Sequence, residues 1–201
     1  MARRTKAEAE ATRESILDSA ECVFMSKGVA RASLEEIART SGVTRGAVYW
    51  HFKNKQDILD AMLERVRAPL GAMLDDAATS GDSLTNLRQL CIISLRKLAT
   101  DEQYFRVYYI LFHRNETDQA LSKHREVAAQ AVDFVSSLLT APENRQRLRP
   151  GLTPELAAHI LHSQMLGLFF DYLVHPERKE FAEQAPIIVD ALLSGLIIDE
   201  H

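Results

Sequence analysis

Residues 33–55, "SLEEIARTSGVTRGAVYWHFKNK", place two helix starts so close together that they dictate the local fold. Ser33 followed by Glu36 has the spacing of a capping box, in which the serine hydroxyl accepts from the N–H of Glu36 and the glutamate reaches back to the serine N–H. The helix it opens carries Leu34, Ile37 and Ala38 and stops at Gly42. Only Ser41, Gly42 and Val43 then precede Thr44, which caps the next helix. Two short helices joined by so short a glycine-containing turn, behind a longer helix, make a helix-turn-helix.

The longer helix is predicted over 6–27. Ile16, Leu17, Ala20, Val23 and Phe24 recur at three- and four-residue steps, Thr5 and Glu8 have capping-box spacing, and Gly28 ends it. Asn54 with Asp57 caps a fourth helix carrying Ile58, Leu59, Met62, Val66, Leu70 and Met73, which extends to about Ala78 and is expected to bend at Pro69. Further helices are predicted at 84–99, 101–113, 118–140, 153–175 and 180–198, the fourth of these opened by Thr153 as cap with Pro154 in the first turn. The segment "APENRQRLRPG", 141–151, reads as an exposed, mobile loop. No alternating strand pattern occurs, so the chain is expected to be all-α with about nine helices: an N-terminal three-helix helix-turn-helix domain, 1–55, and a C-terminal helical domain, 56–201.

Charge is divided along the same line. Residues 1–55 hold 10 Lys and Arg against 7 Asp and Glu, net +3, while the other 146 hold 14 against 21, net −7, within a chain total of −4. A polyanion is therefore expected at the N-terminal part, the acidic remainder repelling it. Apolar runs fall short of the roughly 18 residues that cross a bilayer, and the charged start "MARRTKAEAEATRES" has no apolar core, so a cytoplasmic protein without membrane contact is expected. Cys22 and Cys91, the two cysteines, lie in apolar helical patterns and are expected as buried thiols.

The second helix of a helix-turn-helix lies in the DNA major groove with its N-terminal residues against base edges, while flanking groups hold phosphates. Thr44 caps that helix here, and Arg45 has the planar fork that meets guanine O6 and N7. Gly46 lets the backbone approach closely, and Ala47 is sized to touch a thymine methyl. Val48 and Phe52 are expected inward, with Trp50 braced against the fourth helix. Tyr49, His51 and Lys55 offer hydroxyl, imidazole and ammonium donors toward phosphates.

The stretch "SLEEIARTSGVTRGAVYWHFKNKQDIL", with the upstream "ATRESILDSAECVFMSKGV", resembles the tetracycline-repressor (TetR) family of bacterial transcriptional regulators, and within it the multidrug-efflux branch of AcrR-type repressors. The close resemblance covers about residues 3–62. It implies that Arg45 reads bases with Thr44, Gly46 and Ala47 beside it, that Tyr49, His51 and Lys55 contact phosphates, and that Ser33 makes another backbone contact. Arg3, Arg4 and Lys6 resemble basic arms reaching flanking double-stranded operator DNA. The C-terminal domain is then expected to bind a ligand and to dimerise.

A homodimer also suits the last two helices. The 153–175 helix is apolar on nearly all sides, including Leu161 and Leu168, and the final helix carries a stripe with Ile188, Ala191, Leu192 and Gly195, so these six form the expected interface. For a small hydrophobic, drug-like effector the candidate walls are Val66, Leu70, Met73, Leu90, Cys91, Ser94, Tyr108, Phe112, Val132, Val135, His162, Met165 and Phe169. The expected function is a ligand-responsive repressor of an efflux operon. The alternative is a regulator of another pathway, an activator or a ligand-independent DNA-binding protein. An enzyme is disfavoured: there is no nucleophile motif or phosphate loop, and although His159 and His162 could join His113 or His124 at a metal, no Cys or carboxylate falls at a recognised ligand spacing, so no cofactor or metal is expected.

Overall fold

The computed structural model describes residues 6–78, 83–115, 120–178 and 180–198, with side chains except at 71–78, 120–124, 142 and 143. Its helices are α1 (Lys6–Lys27), α2 (Leu34–Thr40), α3 (Arg45–His51), α4 (Lys55–Ala78), α5 (Ser83–Thr100), α6 (Glu102–Tyr109), α7 (Ala120–Thr140), the single turn α8 (Pro142–Arg145), α9 (Pro154–Val174) and α10 (Phe181–Ser194). Tyr109 leads directly into a wider π-helical turn, Ile110–Arg114. Among the described residues there is no strand, only an isolated antiparallel bridge between Leu148 and Ile197. The all-α expectation holds, with α8 and the π turn added.

Local chemistry explains the boundaries. The Ser33–Glu36 capping box is complete in both directions, and the Lys27 ammonium bonded to Glu36 holds that carboxyl below the ordinary carboxylate range. Gly42, at φ +68°, turns the chain out of α2 where a side chain would be strained. Asn54 Oδ1 accepts from Asp57 N at 2.9 Å to open α4, and Thr153 Oγ1 accepts from Leu156 N at 3.2 Å, with Pro154 next, to open α9. α4 continues through Pro69 to Ala78 as one helix. Thr5, half of the capping box expected for α1, lies outside the described residues.

Compactness divides the chain into two units: Met1–Arg67 with Arg106–Leu121, and Ala68–Phe105 with Ser122–His201. In the first, α1, α2 and α3 pack on one another around Ile16, Leu17, Ala20, Phe24, Ile37 and Val48, with Phe52, Ile58, Leu59 and Met62 also buried. The buried carboxylate of Glu21 takes hydrogen bonds from Arg65 and, at 3.3 Å, from Arg106 Nε. Arg65 also reaches Glu14 at 2.9 Å and Asp18 at 2.8 Å, which ties α4 to α1.

In the second unit, α5 packs on α10 and α9. Arg88 forks onto Asp190 at 2.5 and 2.8 Å, fixing α5 against α10. The segment 141–151, expected as a mobile loop, is anchored instead. Asn144 is buried, its Nδ2 donating to Ser83 Oγ at 2.6 Å and Leu138 O at 2.7 Å. Arg149 N bonds Leu196 O at 2.9 Å, Ile198 N bonds Arg147 O at 2.7 Å, and Arg149 Nε bonds Ser194 O at 2.8 Å. Polar composition suggested solvent, but these polar side chains satisfy backbone carbonyls near the ends of α7 and α10. The cysteines also divide: Cys91 is buried, whereas Cys22 is exposed on the solvent side of α1, contrary to the expected buried thiol.

Candidate nucleic-acid interface

Helix α3 has a closed inner face and an open outer one. Val48 is fully buried and Phe52 nearly so, four residues apart and therefore on one side. Thr44, Arg45, Gly46, Tyr49 and Trp50 are exposed, and Ala47 and His51 half-buried. Thr44 Oγ1 accepts from Ala47 N at 3.2 Å, the cap expected there. The Arg45 guanidinium lies over the Tyr49 ring, 5.6 Å from its centroid, so two expected contact residues brace each other by cation–π attraction. A Cβ built on Gly46 would meet only Thr44 Oγ1, at 3.9 Å. Nothing inside the chain therefore requires glycine at this position.

A shallow groove of about 350 Å³ adjoins this face, lined by Ala32 to Glu35, Arg45, Tyr49 and Lys53 to Lys55. It brings Ser33, Arg45, Tyr49 and Lys55, four of the residues named as contacts, together at one surface. Lys53 and Asn54 join them and were not among the expected contact residues. Both are polar residues in the turn after α3, where Asn54 was expected only as the cap of α4.

Two expectations need correction. Trp50 is not braced against α4: it is 74% exposed, with its ring edge-on to His51 at 4.5 Å. Helical geometry explains this, because a residue two positions beyond buried Val48 lies about 200° round the helix. Lys55 was expected to donate to phosphate, but its ammonium donates to Val29 O at 2.6 Å, Ala30 O at 2.9 Å and Ala32 O at 2.9 Å. An ammonium has three donors, and all three go to the loop between α1 and α2. Arg3 and Arg4 lie outside the described residues, and Lys6 is exposed at the start of α1.

The effector candidates divide between the units. Leu70 on α4, Leu90, Cys91 and Ser94 on α5, Val132 and Val135 on α7, and His162, Met165 and Phe169 on α9 belong to the second, where Phe169 meets Tyr104 edge-to-face at 6.2 Å. Burial pushes the Cys91 thiol up to about 12, which keeps it unreactive. Val66, Tyr108 and Phe112 belong to the first unit, the two rings stacked at 6.3 Å. The side chain of Met73 lies outside the described residues.

Of the six expected interface residues, Leu161 is 2% exposed and so belongs to its own subunit's core. Leu168, Ile188 and Leu192 are half-buried, and Ala191 and Gly195 are exposed. The large apolar residues left open on these two helices are Leu156, Leu166, Phe170 and Val174 on α9 and Ile187 on α10. The apolar pattern all round α9 hid which side faced inward. Among the described residues, no helix is long and apolar enough to cross a membrane, and no three of His, Cys, Asp and Glu gather as metal ligands.

Comparison with known proteins agrees with this architecture. Residues 16–62 match the family model described as bacterial regulatory proteins, tetR family, and residues 82–197 match that of the MAATS-type transcriptional repressor C-terminal region. The HTH-type transcriptional regulator AcrR of Shigella flexneri is 33% identical over 98% of this chain and 95% of its own. The crystal structure of NalD, the secondary repressor of the MexAB-OprM multidrug efflux pump in Pseudomonas aeruginosa, is 37% identical with a TM-score of 0.86, covering 97% of this chain and all of that one. A SmeT–triclosan complex is 34% identical with a TM-score of 0.81, covering 94% and 93%. SmeT is the repressor of the Stenotrophomonas maltophilia multidrug efflux pump SmeDEF. With both halves matched and full-length relatives that are transcriptional regulators, the chain belongs to the TetR family, beside the AcrR-type repressors of multidrug efflux.

Proposed function

We propose that this protein is a cytoplasmic, homodimeric repressor that binds a palindromic operator, controls a multidrug efflux operon and leaves the DNA when a small hydrophobic ligand binds. The observation that carries the reading is the outer face of α3: Arg45 and Tyr49 braced together beside a glycine that no internal packing requires. The efflux assignment rests on the regulators named above, two of them described as repressors of multidrug efflux pumps. Residues 1–55 carry DNA recognition in this reading, and 56–201 carry ligand binding and dimerisation. Thr44, Arg45, Gly46 and Ala47 face base edges. Ser33, Tyr49 and His51, with Arg3, Arg4 and Lys6, face phosphates, joined by Lys53 from the groove.

Selection from a pool of random-sequence duplexes tests this directly. The wild-type chain is expected to enrich a palindrome with half-sites about one helical turn, roughly 34 Å, apart. Arg45→Ala is expected to lose preference at one base pair per half-site, costing about 1–3 kcal/mol per contact. Enrichment of no common sequence would remove the operator reading. Triclosan serves as the first effector probe, and it is expected to release the selected duplex only to the extent that it prefers the non-binding form.

A further inference from the structure

The end of the π turn that follows α6 grips the helix-turn-helix in a way that DNA contact does not explain. Arg114 Nε and Nη2 donate to Met25 O at 3.0 and 2.7 Å, and Nη2 also donates to Ser26 O at 2.8 Å, satisfying carbonyls left open at the end of α1. The Arg114 carbonyl accepts from Val29 N at 2.8 Å. Val29 is buried, and its own carbonyl takes the 2.6 Å bond from Lys55 Nζ. Gly28 turns the chain into this loop at φ +79°, a backbone conformation that would strain a side chain, and the Arg114 oxygen lies beside it. A continuous path thus runs from Arg114 through the two faces of Val29 to Lys55, which opens α4 four residues after α3 ends at His51.

The π turn explains why Arg114 reaches α1. Arg106, eight residues earlier, already contacts α1 at Glu21. In a regular helix eight residues would leave the two arginines about 80° apart in facing. A π-helical turn absorbs one residue without advancing the face, and so brings both toward α1.

We propose that Arg114 is a positioning residue for the DNA-reading face, holding the α1–α2 loop so that Lys55 can fix the turn between α3 and α4. Arg114 does not line the groove. Displacing segment 106–114 from α1 takes the Arg114 oxygen from Val29, loosens the carbonyls that hold Lys55, and lets the turn at residues 53–55 shift. This rests on the DNA-reading role of α3, so the test separates the two.

In the full-length chain, acetic anhydride labelling read by mass spectrometry compares Lys55 with exposed Lys53, alongside amide exchange at Val29. Wild-type Lys55 is expected to react about tenfold more slowly than Lys53, and Arg114→Gln to remove most of that difference and speed Val29 exchange to a similar degree. Arg114→Lys, which keeps the charge but not the fork, is expected to fall between them, and it supplies the comparison if Arg114→Gln does not fold. Affinity for the selected duplex is expected to fall about tenfold with an unchanged salt slope, because no phosphate contact is removed. Labelling and exchange that match the wild type in a folded variant would overturn the proposal, as would loosened Lys55 with undiminished affinity. Failure of the wild-type chain to bind any duplex would strike the DNA-reading role, while the labelling ratio would still decide whether Arg114 holds Lys55.

Discussion

Gly46 is the residue at which folding and the proposed DNA recognition make separate demands. Glycine inside a helix is destabilising relative to alanine by about 0.5–1 kcal/mol, and a Cβ at this position meets only Thr44 Oγ1. Gly46→Ala is therefore expected to keep or raise stability in urea melts by about that amount while weakening binding to the selected duplex. Equal affinity would mean that DNA does not approach α3 closely there. The two cysteines give a second residue-scale expectation. Cys22 is open to reagent, whereas Cys91 is buried and its thiol, pushed up to about 12, presents almost no thiolate at pH 8. Iodoacetamide under native conditions is expected to label Cys22 and spare Cys91, and labelling of both at similar rates would contradict the buried placement.

Between elements, Glu21 is the clearest single point of attachment. Its carboxylate is buried and shared by Arg65 of α4 and Arg106 of α6. Removing one partner from a buried ionic cluster costs about 3–5 kcal/mol where the other charge is left alone, and Arg65 keeps Glu14 and Asp18, so Glu21→Ala is expected to destabilise the chain by about 2–3 kcal/mol in chemical denaturation. A loss near the few tenths typical of surface pairs would show that Arg65 is held well enough by Glu14 and Asp18. The sequence made the helices themselves legible, because caps and apolar periodicity are local: Ser33 with Glu36, Asn54 with Asp57, and Thr153 with Pro154 all act within one turn. Side-chain bonds that span the fold were not legible. Lys55 reaching back to Val29, Asn144 joining Ser83 to Leu138, and Arg114 turned by a π-helical residue all depend on approach between distant segments. The reading face was half legible for the same reason: buried Val48 and Phe52 set the inner side of α3, but the exposure of Trp50 followed from the same geometry and was missed.

Across the whole molecule, the proposed operator requires two copies of α3 held about 34 Å apart, so recognition depends on what joins the copies. Leu166, Phe170 and Val174 recur every four residues along one side of α9, and Ile187 of α10 is 73% exposed. Apolar side chains left open on neighbouring helices are costly in water and gain by meeting a second copy. Phe170→Glu combined with Ile187→Glu should therefore leave each subunit folded, because neither side chain is buried within it, yet abolish the dimer in light scattering. Leu161→Glu supplies the contrast. It places a charge at a residue 2% exposed in its own subunit and is expected to lower the melting temperature directly. If the folded double variant remains a dimer, the subunits join through another surface. If it becomes monomeric and still binds the selected duplex at wild-type affinity, the spacing of two reading helices is not what sets operator recognition.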